Sequence, residues 1–303
     1  MGRPTRRRVA VGIDVGGTKT AVTAISLPGA EVLFREVIPT QATLGAGRIR
    51  SQLVMVLGRM RSELALSERP QVGVSVPELV DLDEQVVTDV VVPGLVGDLK
   101  EWTDIGVTRV ESDVRAAAHA EAMAGAGRIF PSFAYVSIGT GISSAFVRDG
   151  AVWPGAHGAA ILLGSGPFGP QLRPDGRPYP LEELASGPAI AAAYRAGGGR
   201  AESAQEVIDR YSYDPLAAQV VAAAGSSAGQ GVALLVNVLD PHAVIVGGGL
   251  GCADGPYWTS METAARTQIW AESARRLPLL RSSLGPDAAS IGVALLAAHQ
   301  VGR

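Results

Sequence analysis

The sequence predicts an α/β protein of two domains, built on one supersecondary unit used twice, and three observations carry that reading. Residues 9–13 form a short β-branched run that stops at Asp14-Val15-Gly16-Gly17-Thr18-Lys19-Thr20, and residues 21–25 then alternate as a returning strand. About 125 residues later the pattern restarts, with a strand over 133–138, the turn Gly139-Thr140-Gly141 and a returning strand over 143–147. Between and after these units, helical and strand patterns alternate, the order that builds mostly parallel sheets covered by helices.

The remaining elements follow in order. Apolar spacing predicts a helix over 47–66, and residues 71–76 read as a buried strand stopped by Pro77. Residues 86–92 read as another strand, ending at Pro93-Gly94, and 107–110 as a short strand leading into Ser112-Asp113. An Ala-rich helix is expected over 114–123, closed by Gly125 and Gly127. Residues 155–180, rich in Gly and Pro, read as one long loop, which in a compact domain is usually functional or mobile. Helices are expected over 181–196, 204–211, 216–239 and 261–274, a strand over 243–246 that runs into Gly247-Gly248-Gly249, and a final helix over 289–299.

Composition narrows the function classes. The chain has 303 residues, enough for two domains, and is 47% hydrophobic and 18% charged, with 26 Lys plus Arg against 29 Asp plus Glu. That balance favours neither disorder nor a nucleic-acid partner, and the run Arg6-Arg7-Arg8 behind Arg3 reads as a solvated tail. No uncharged apolar stretch of the length a membrane span needs is evident, and the first residues lack the apolar core of a signal peptide, so the cytoplasm is the expected compartment. One cysteine, Cys252, and four scattered histidines give no metal-ligand spacing. Glycine is abundant, 38 residues, and clustered; lysine is rare, and one of only two, Lys19, falls in the first glycine cluster.

Backbone amides reach phosphate oxygens only where side chains do not obstruct them, so a glycine turn after a buried strand is a candidate phosphate cradle. The first turn adds the Thr18 hydroxyl, the Lys19 charge and, at the strand end, an Asp14 carboxylate suited to hydrated magnesium. A plain hairpin turn also needs Gly, but has no need of Asp, Thr and Lys together. Gly139-Thr140-Gly141 reads equally as a hairpin or as a second cradle. Gly247, Gly248 and Gly249 either make a flexible turn or leave bare backbone on which an adenine and ribose lie. Taken together, three glycine breaks at strand ends are expected to converge on one cleft, because ligands sit at the carboxyl ends of parallel strands.

Residues 11–24 resemble the first phosphate motif of sugar kinases of the ROK family (repressor, open reading frame, kinase) within the actin-like ATPases, residues 137–145 the second, and residues 237–251 the adenosine segment. Leu181-Glu182-Glu183-Leu184-Ala185-Ser186-Gly187 resembles a further family block, and 291–298 the closing helix. The resemblance implies a duplicated, ribonuclease H-like fold of two α/β domains around a cleft, here 1–112 joined by 289–303, and 113–288. It implies ATP with magnesium as cofactors, the metal held by Asp14 through water. The acceptor it implies is a sugar hydroxyl, the 6-hydroxyl by family habit, and the assembly a homodimer. Ser112-Asp113-Val114-Arg115 matches the family's Asn-Asp-Ala-Asn segment, which makes Asp113 the candidate general base; a carboxylate at a helix start also serves as an N-cap, a stabilising role worth about 1 kcal/mol.

The departures from the family pattern concentrate on the acceptor side. Ser112 and Arg115 replace the two Asn residues, and Leu162 and Ser165 stand where the family has the Glu and His that touch the sugar. The three-cysteine zinc loop is replaced by residues 169–180, so no structural zinc is expected. Glu78 enters a segment that usually reads Pro-Gly-Pro-Val-Asp, Glu182 keeps a sugar-contact position, and His157 flanks the same loop. A pocket that hydrogen-bonds one hydroxyl rejects ligands lacking it, so these exchanges imply an unusual acceptor: an amino sugar such as 3-amino-3-deoxyglucose (kanosamine), a C7 cyclitol, or another modified hexose of secondary metabolism such as antibiotic biosynthesis. The competing expectations are a sugar-sensing regulator without catalysis and an ATPase or phosphatase on the same fold.

Overall fold

The computed structural model describes residues 8–299; the basic tail with Arg3, Arg6 and Arg7 lies outside the described residues. Along the chain run β1 (Arg8–Val15), β2 (Lys19–Leu27), β3 (Val32–Pro39), α1 (Ala46–Glu63), β4 (Gln71–Val76), β5 (Val107–Ser112) and α2 (Asp113–Ala124). Then follow β6 (Ser132–Ile138), β7 (Ile142–Arg148), β8 (Ala151–Trp153), β9 (Pro167–Leu172), β10 (Pro178–Pro180), α3 (Glu182–Ala185), α4 (Gly187–Ala196) and α5 (Ala204–Asp209). The series closes with α6 (Pro215–Leu239), β11 (Ala243–Gly247), α7 (Pro256–Gln268), β12 (Leu279–Arg281) and α8 (Ala288–His299).

Two sheets repeat one topology, which confirms the duplication read from the glycine turns. The first has the order β3-β2-β1-β4-β5 and the second β12-β11-β6-β7-β8. In the first, β1 pairs antiparallel with β2 and parallel with β4, and β4 pairs parallel with β5. In the second, β6 pairs antiparallel with β7 and parallel with β11, which pairs parallel with β12. The chain divides into two compact units: residues to 128, with 150–160 and 287 onward, and residues 129–149 with 161–286. The division expected at 112/113 thus falls later, because α2 packs against α8 and β5 and stays with the first unit.

In the first unit, strand alternation sorts the side chains of the sheet onto two faces. Val11, Ile13, Val22, Ala24, Val72 and Val74 meet the buried side of α1, which contributes Ile49, Leu53, Val56, Leu57 and Met60. The other face carries mostly small and polar residues, with Ile25 beside them, and α8 lies on it. A Cβ at Gly12 would overlap the Ser290 carbonyl, one at Gly73 the Val293 carbonyl, and one at Gly292 the Ala116 carbonyl in α2. Thr23 and Ser290 share a 2.8 Å hydroxyl bond across the same contact. The second unit is centred on α6, a charge-free helix long and apolar enough to span a membrane by composition, half of whose most apolar window is buried here as a core helix against α7 and α3–α5.

Several expected elements change. Residues 86–92 form no strand beyond isolated bridges from Val86 to Val80 and Gly97, because the amides of Val90, Val91 and Val92 are taken by the Glu78 carboxylate instead of a sheet neighbour. The loop expected over 155–180 contains the β9–β10 hairpin. The helix expected over 181–196 breaks at Ser186, whose hydroxyl caps α4.

The contact under α8 generates a stability prediction. Gly292→Ala forces two backbones apart, and such overpacking costs roughly 1–3 kcal/mol, read as a lowered midpoint in urea unfolding. Gly58→Ala in α1, where a Cβ meets nothing within 4 Å, is expected to hold or raise that midpoint. Equal midpoints for the two variants would contradict the packing described.

Candidate active site

In the first unit the carboxyl ends of β1, β4 and β5 lie side by side, since Asp14 pairs with Ser75 and Val76 with Ser112. Sheet register therefore gathers the acidic groups at the strand ends, where open α/β sheets bind their ligands. Asp14 accepts a 2.8 Å bond from the Ser75 hydroxyl, and its other oxygen has no partner among the described residues. Burial pushes its carboxyl up to about 6, with Asp287 adding to the rise and Ser75 opposing it.

Asp113 opens α2. Ser112 occupies the N-cap position, but its hydroxyl makes no capping bond and is buried without a partner among the described residues. Asp113 accepts from the next amide, Val114, at 2.6 Å. Its carboxyl is pushed up to about 7, first by burial, then by the Asp14 charge and by Glu78, while the Val114 amide holds it down. The result is an acid group whose proton leaves near neutral pH, the range suited to a general base.

Each glycine turn spends part of its backbone on itself. The Gly16 amide donates to the Lys19 carbonyl at 3.0 Å, and the Gly139 amide to the Gly141 carbonyl at 2.9 Å. This corrects the expectation that Gly16 and Gly139 offer bare nitrogens: the amides without a partner among the described residues are those of Gly17 and Thr18 in one turn and Thr140 and Gly141 in the other. Gly17, Thr18 and Lys19 are exposed, and the turn is braced from behind by Thr40, which donates its hydroxyl to the Gly16 carbonyl at 2.7 Å and its amide to the Thr18 carbonyl at 2.9 Å.

In the second unit two of the glycine breaks meet. Leu250 and Gly251 donate their amides to the Ile138 carbonyl at 3.1 and 3.0 Å, which sets Gly247, Gly248 and Gly249 beside the 139–141 turn at the ends of the parallel strands β11 and β6. Glu182 joins the same corner. Its carboxylate accepts the Ile142 amide at 2.8 Å and would crowd a Cβ at Gly141, while its own amide donates to the Gly164 carbonyl at 2.9 Å. That bond anchors the segment carrying Leu162 and Ser165, both of whose side chains are exposed.

One candidate takes another role than expected. Glu78 was expected as a free carboxylate on the acceptor side; it is 3% exposed, and its two oxygens accept from the Thr88 hydroxyl and the amides of Val90, Val91 and Val92 at 2.6–3.1 Å. It is the brace of the 88–92 loop. Glu182 gives one oxygen to the 141–142 turn. His157 is exposed next to Gly158, in the segment that groups with the first unit. Arg115, read from the sequence only as a replaced Asn, is almost completely buried, with a partner for each guanidinium nitrogen; its position two residues after Asp113 was the available signal.

A duplicated sheet of this order, with an acidic residue closing the first strand and glycine turns after β1, β6 and β11, defines the actin-like ATPase fold. The ROK family model matches residues 10–300, and the chain belongs to that family. A ROK hexokinase from Thermus thermophilus is 30% identical, with a TM-score of 0.78 over 97% of this chain and 99% of its own. N-acetylmannosamine kinase of Escherichia coli O139:H28 is 28% identical over 94% of this chain and 97% of its own. The bifunctional enzyme NanE/NanK of Brucella melitensis is 29% identical over 94% of this chain, which spans about half, 53%, of that protein's length.

The raised Asp113 carboxyl has a consequence for stability. The folded protein holds a proton near pH 7 that the unfolded chain releases near 3.8, so the stabilisation from this group is complete below about pH 4 and is lost as pH rises through 7. In metal-free buffer at pH 8, Asp113→Asn should therefore melt a few degrees above wild type, an advantage that shrinks toward pH 4. A melting point equal to or below wild type at pH 8 would show that Asp113 is not charged against its surroundings.

Proposed function

We propose that this ROK protein is an ATP-dependent sugar kinase in which Asp113 accepts the proton of the attacking hydroxyl. The observation that carries the reading is the placement of Asp113 at the start of α2, beside Asp14 and the strand ends of the first sheet, with its carboxyl pushed up to about 7. Phosphoryl transfer asks little covalent chemistry of a protein, so positioning and charge neutralisation dominate. The acceptor oxygen forms its bond to the γ-phosphorus as the bond to the ADP oxygen breaks, and the hydroxyl proton passes to the Asp113 carboxylate.

Magnesium ATP fits the residues present. Asp14 has one oxygen committed to Ser75 and the other without a partner among the described residues; the Asp287 charge raises its carboxyl, and the Asp14 charge raises that of Asp113. A hydrated dication held by Asp14 would relieve that repulsion and would offset charge on the phosphates. The unpartnered amides of residues 17–18 and 140–141 suit phosphate oxygens, and the backbone at Gly247, Gly248 and Gly249 suits an adenosine.

The acceptor reading rests on Leu162 and Ser165. Leu162, 47% exposed, is an apolar side chain where the family places a carboxylate, and it cannot hydrogen-bond the hydroxyl that a Glu would read. This supports a modified hexose over plain glucose. With Glu78 withdrawn into its loop, the preference for an amine no longer draws on that carboxylate; N-acetylmannosamine, the acceptor named for the relatives, joins kanosamine and the C7 cyclitol as a candidate.

A coupled ADP assay over glucose, glucosamine, 3-amino-3-deoxyglucose, N-acetylmannosamine and a C7 cyclitol tests both levels. Sugar-dependent ADP release is expected, with at least one modified acceptor ahead of glucose, and loss of about 10²- to 10⁴-fold in kcat for Asp113→Asn with the fold retained. Phosphate release independent of any sugar would overturn the kinase reading, and best turnover of glucose would overturn the acceptor reading alone.

A further inference from the structure

Arg115 is 3% exposed, in the first turn of α2. A buried guanidinium is tolerated only when its donors are paired, and here they are. Nε and Nη2 each donate to Glu111 Oε1 at 2.6 Å, Nη1 donates to the Gly158 carbonyl at 2.7 Å, and Nη2 to the Val80 carbonyl at 2.6 Å. One planar cation thus ties three pieces of chain together: the helix that begins with Asp113, the loop after β4, and the loop after β8. Gly158 shows how closely they meet. Its φ is +72°, and a Cβ there would overlap the Val80 carbonyl and stand 3.2 Å from Arg115 Nη1.

The clamp is anchored from behind. Glu111 also accepts the Ser112 amide at 2.9 Å and pairs with Arg109 at 3.4 Å. Arg109 pairs with Glu84 at 2.7 Å, and Glu84 with Lys100 at 3.0 Å. Alternating charges therefore run from the surface lysine to the buried arginine, and each carboxylate has a cation on both sides. Fixed in this way, each of the three guanidinium nitrogens of Arg115 is engaged within the protein.

Resting on the sugar-kinase reading, which places Pro77 to Asp81 and His157 on the acceptor side, we propose that Arg115 is a positioning residue for acceptor specificity. It holds the 77–81 and 155–160 loops at a set distance from Asp113, so that the acceptor meets a wall fixed by main-chain carbonyls. The planar fork is essential to this role, because a lysine ammonium is a point donor on a flexible stem and does not span Glu111, Val80 and Gly158 at once.

The test uses the full chain, as wild type, Arg115→Lys and Gly158→Ala, with two readouts. Hydrogen exchange of the free protein is expected to speed at least tenfold in 77–81 and 155–160 of both variants, with α1 and the β6–β7 hairpin unchanged. In the coupled assay, with whichever sugar of the panel wild type turns over fastest, the acceptor KM is expected to rise at least tenfold while the ATP KM stays within twofold. Unchanged exchange in the two loops overturns the proposal whatever the assay returns, as does uniformly faster exchange across both units. Freed loops with an unchanged acceptor KM overturn it too, leaving Arg115 a brace alone. Absence of sugar turnover by wild type fails the kinase reading and, separately, removes acceptor positioning as the role of the clamp.

Discussion

The structure of the first unit depends on one close approach, that of the α8 backbone to the β1–β4 surface and to α2. Burial of apolar side chains is not what distinguishes this contact, since the sheet face beneath α8 presents Gly12, Thr23 and Gly73 where the opposite face presents Val11, Ile13 and Val74. Removing side chains lets main chains meet, and the gain comes from dense contact over a long helix together with the Thr23–Ser290 bond. From that contact follow the placement of α2 against α8 and the position of Asp113 at the end of β5.

The same unit concentrates negative charge where packing alone would avoid it. Burial raises both Asp14 and Asp113; the Asp287 charge adds to the first, and the Asp14 and Glu78 charges add to the second. A free fold would relieve this by neutral residues. Retaining it is the pattern expected where a bound dication supplies the missing positive charge, and it implies a protein less stable empty than loaded. Glu78 differs from these two: both of its oxygens are spent, on three backbone amides and the Thr88 hydroxyl, so it shapes a loop and does not wait for a ligand.

The repeated unit was legible because each copy is local: a β-branched run, a glycine turn and a returning run announce themselves within 20 residues. The two-sheet order followed from it. What was not legible depends on partners far along the chain. Residues 86–92 have strand composition, yet a carboxylate at position 78 takes their amides, and no periodicity records that. The β9–β10 hairpin is made largely of Pro and Gly, which mark turns more strongly than strands. At the site, the glycine turns and Asp14 were legible as a candidate phosphate cradle from their own residues and Asp113 through its resemblance to a family segment, whereas Arg115 stood out only as a departure, and its clamp joins carbonyls 35 and 43 residues away. The mistaken reading of Glu78 has the same origin, since an acid in a loop looks alike whether it faces solvent or four donors.

The 280 positions between Gly12 and Gly292 have a temporal meaning during synthesis. At about 5–20 residues per second β1 leaves the ribosome roughly a quarter of a minute to a minute before the helix that must cover it, and β4 follows β1 within that time. From then until α8 emerges the β1–β4 surface is unsheltered, and the second unit, whose segments all emerge earlier than α8, can condense first. Maturation of the acid-bearing half is therefore a late event in the nascent chain's history, and a holdase that shields a strand surface would act during that window.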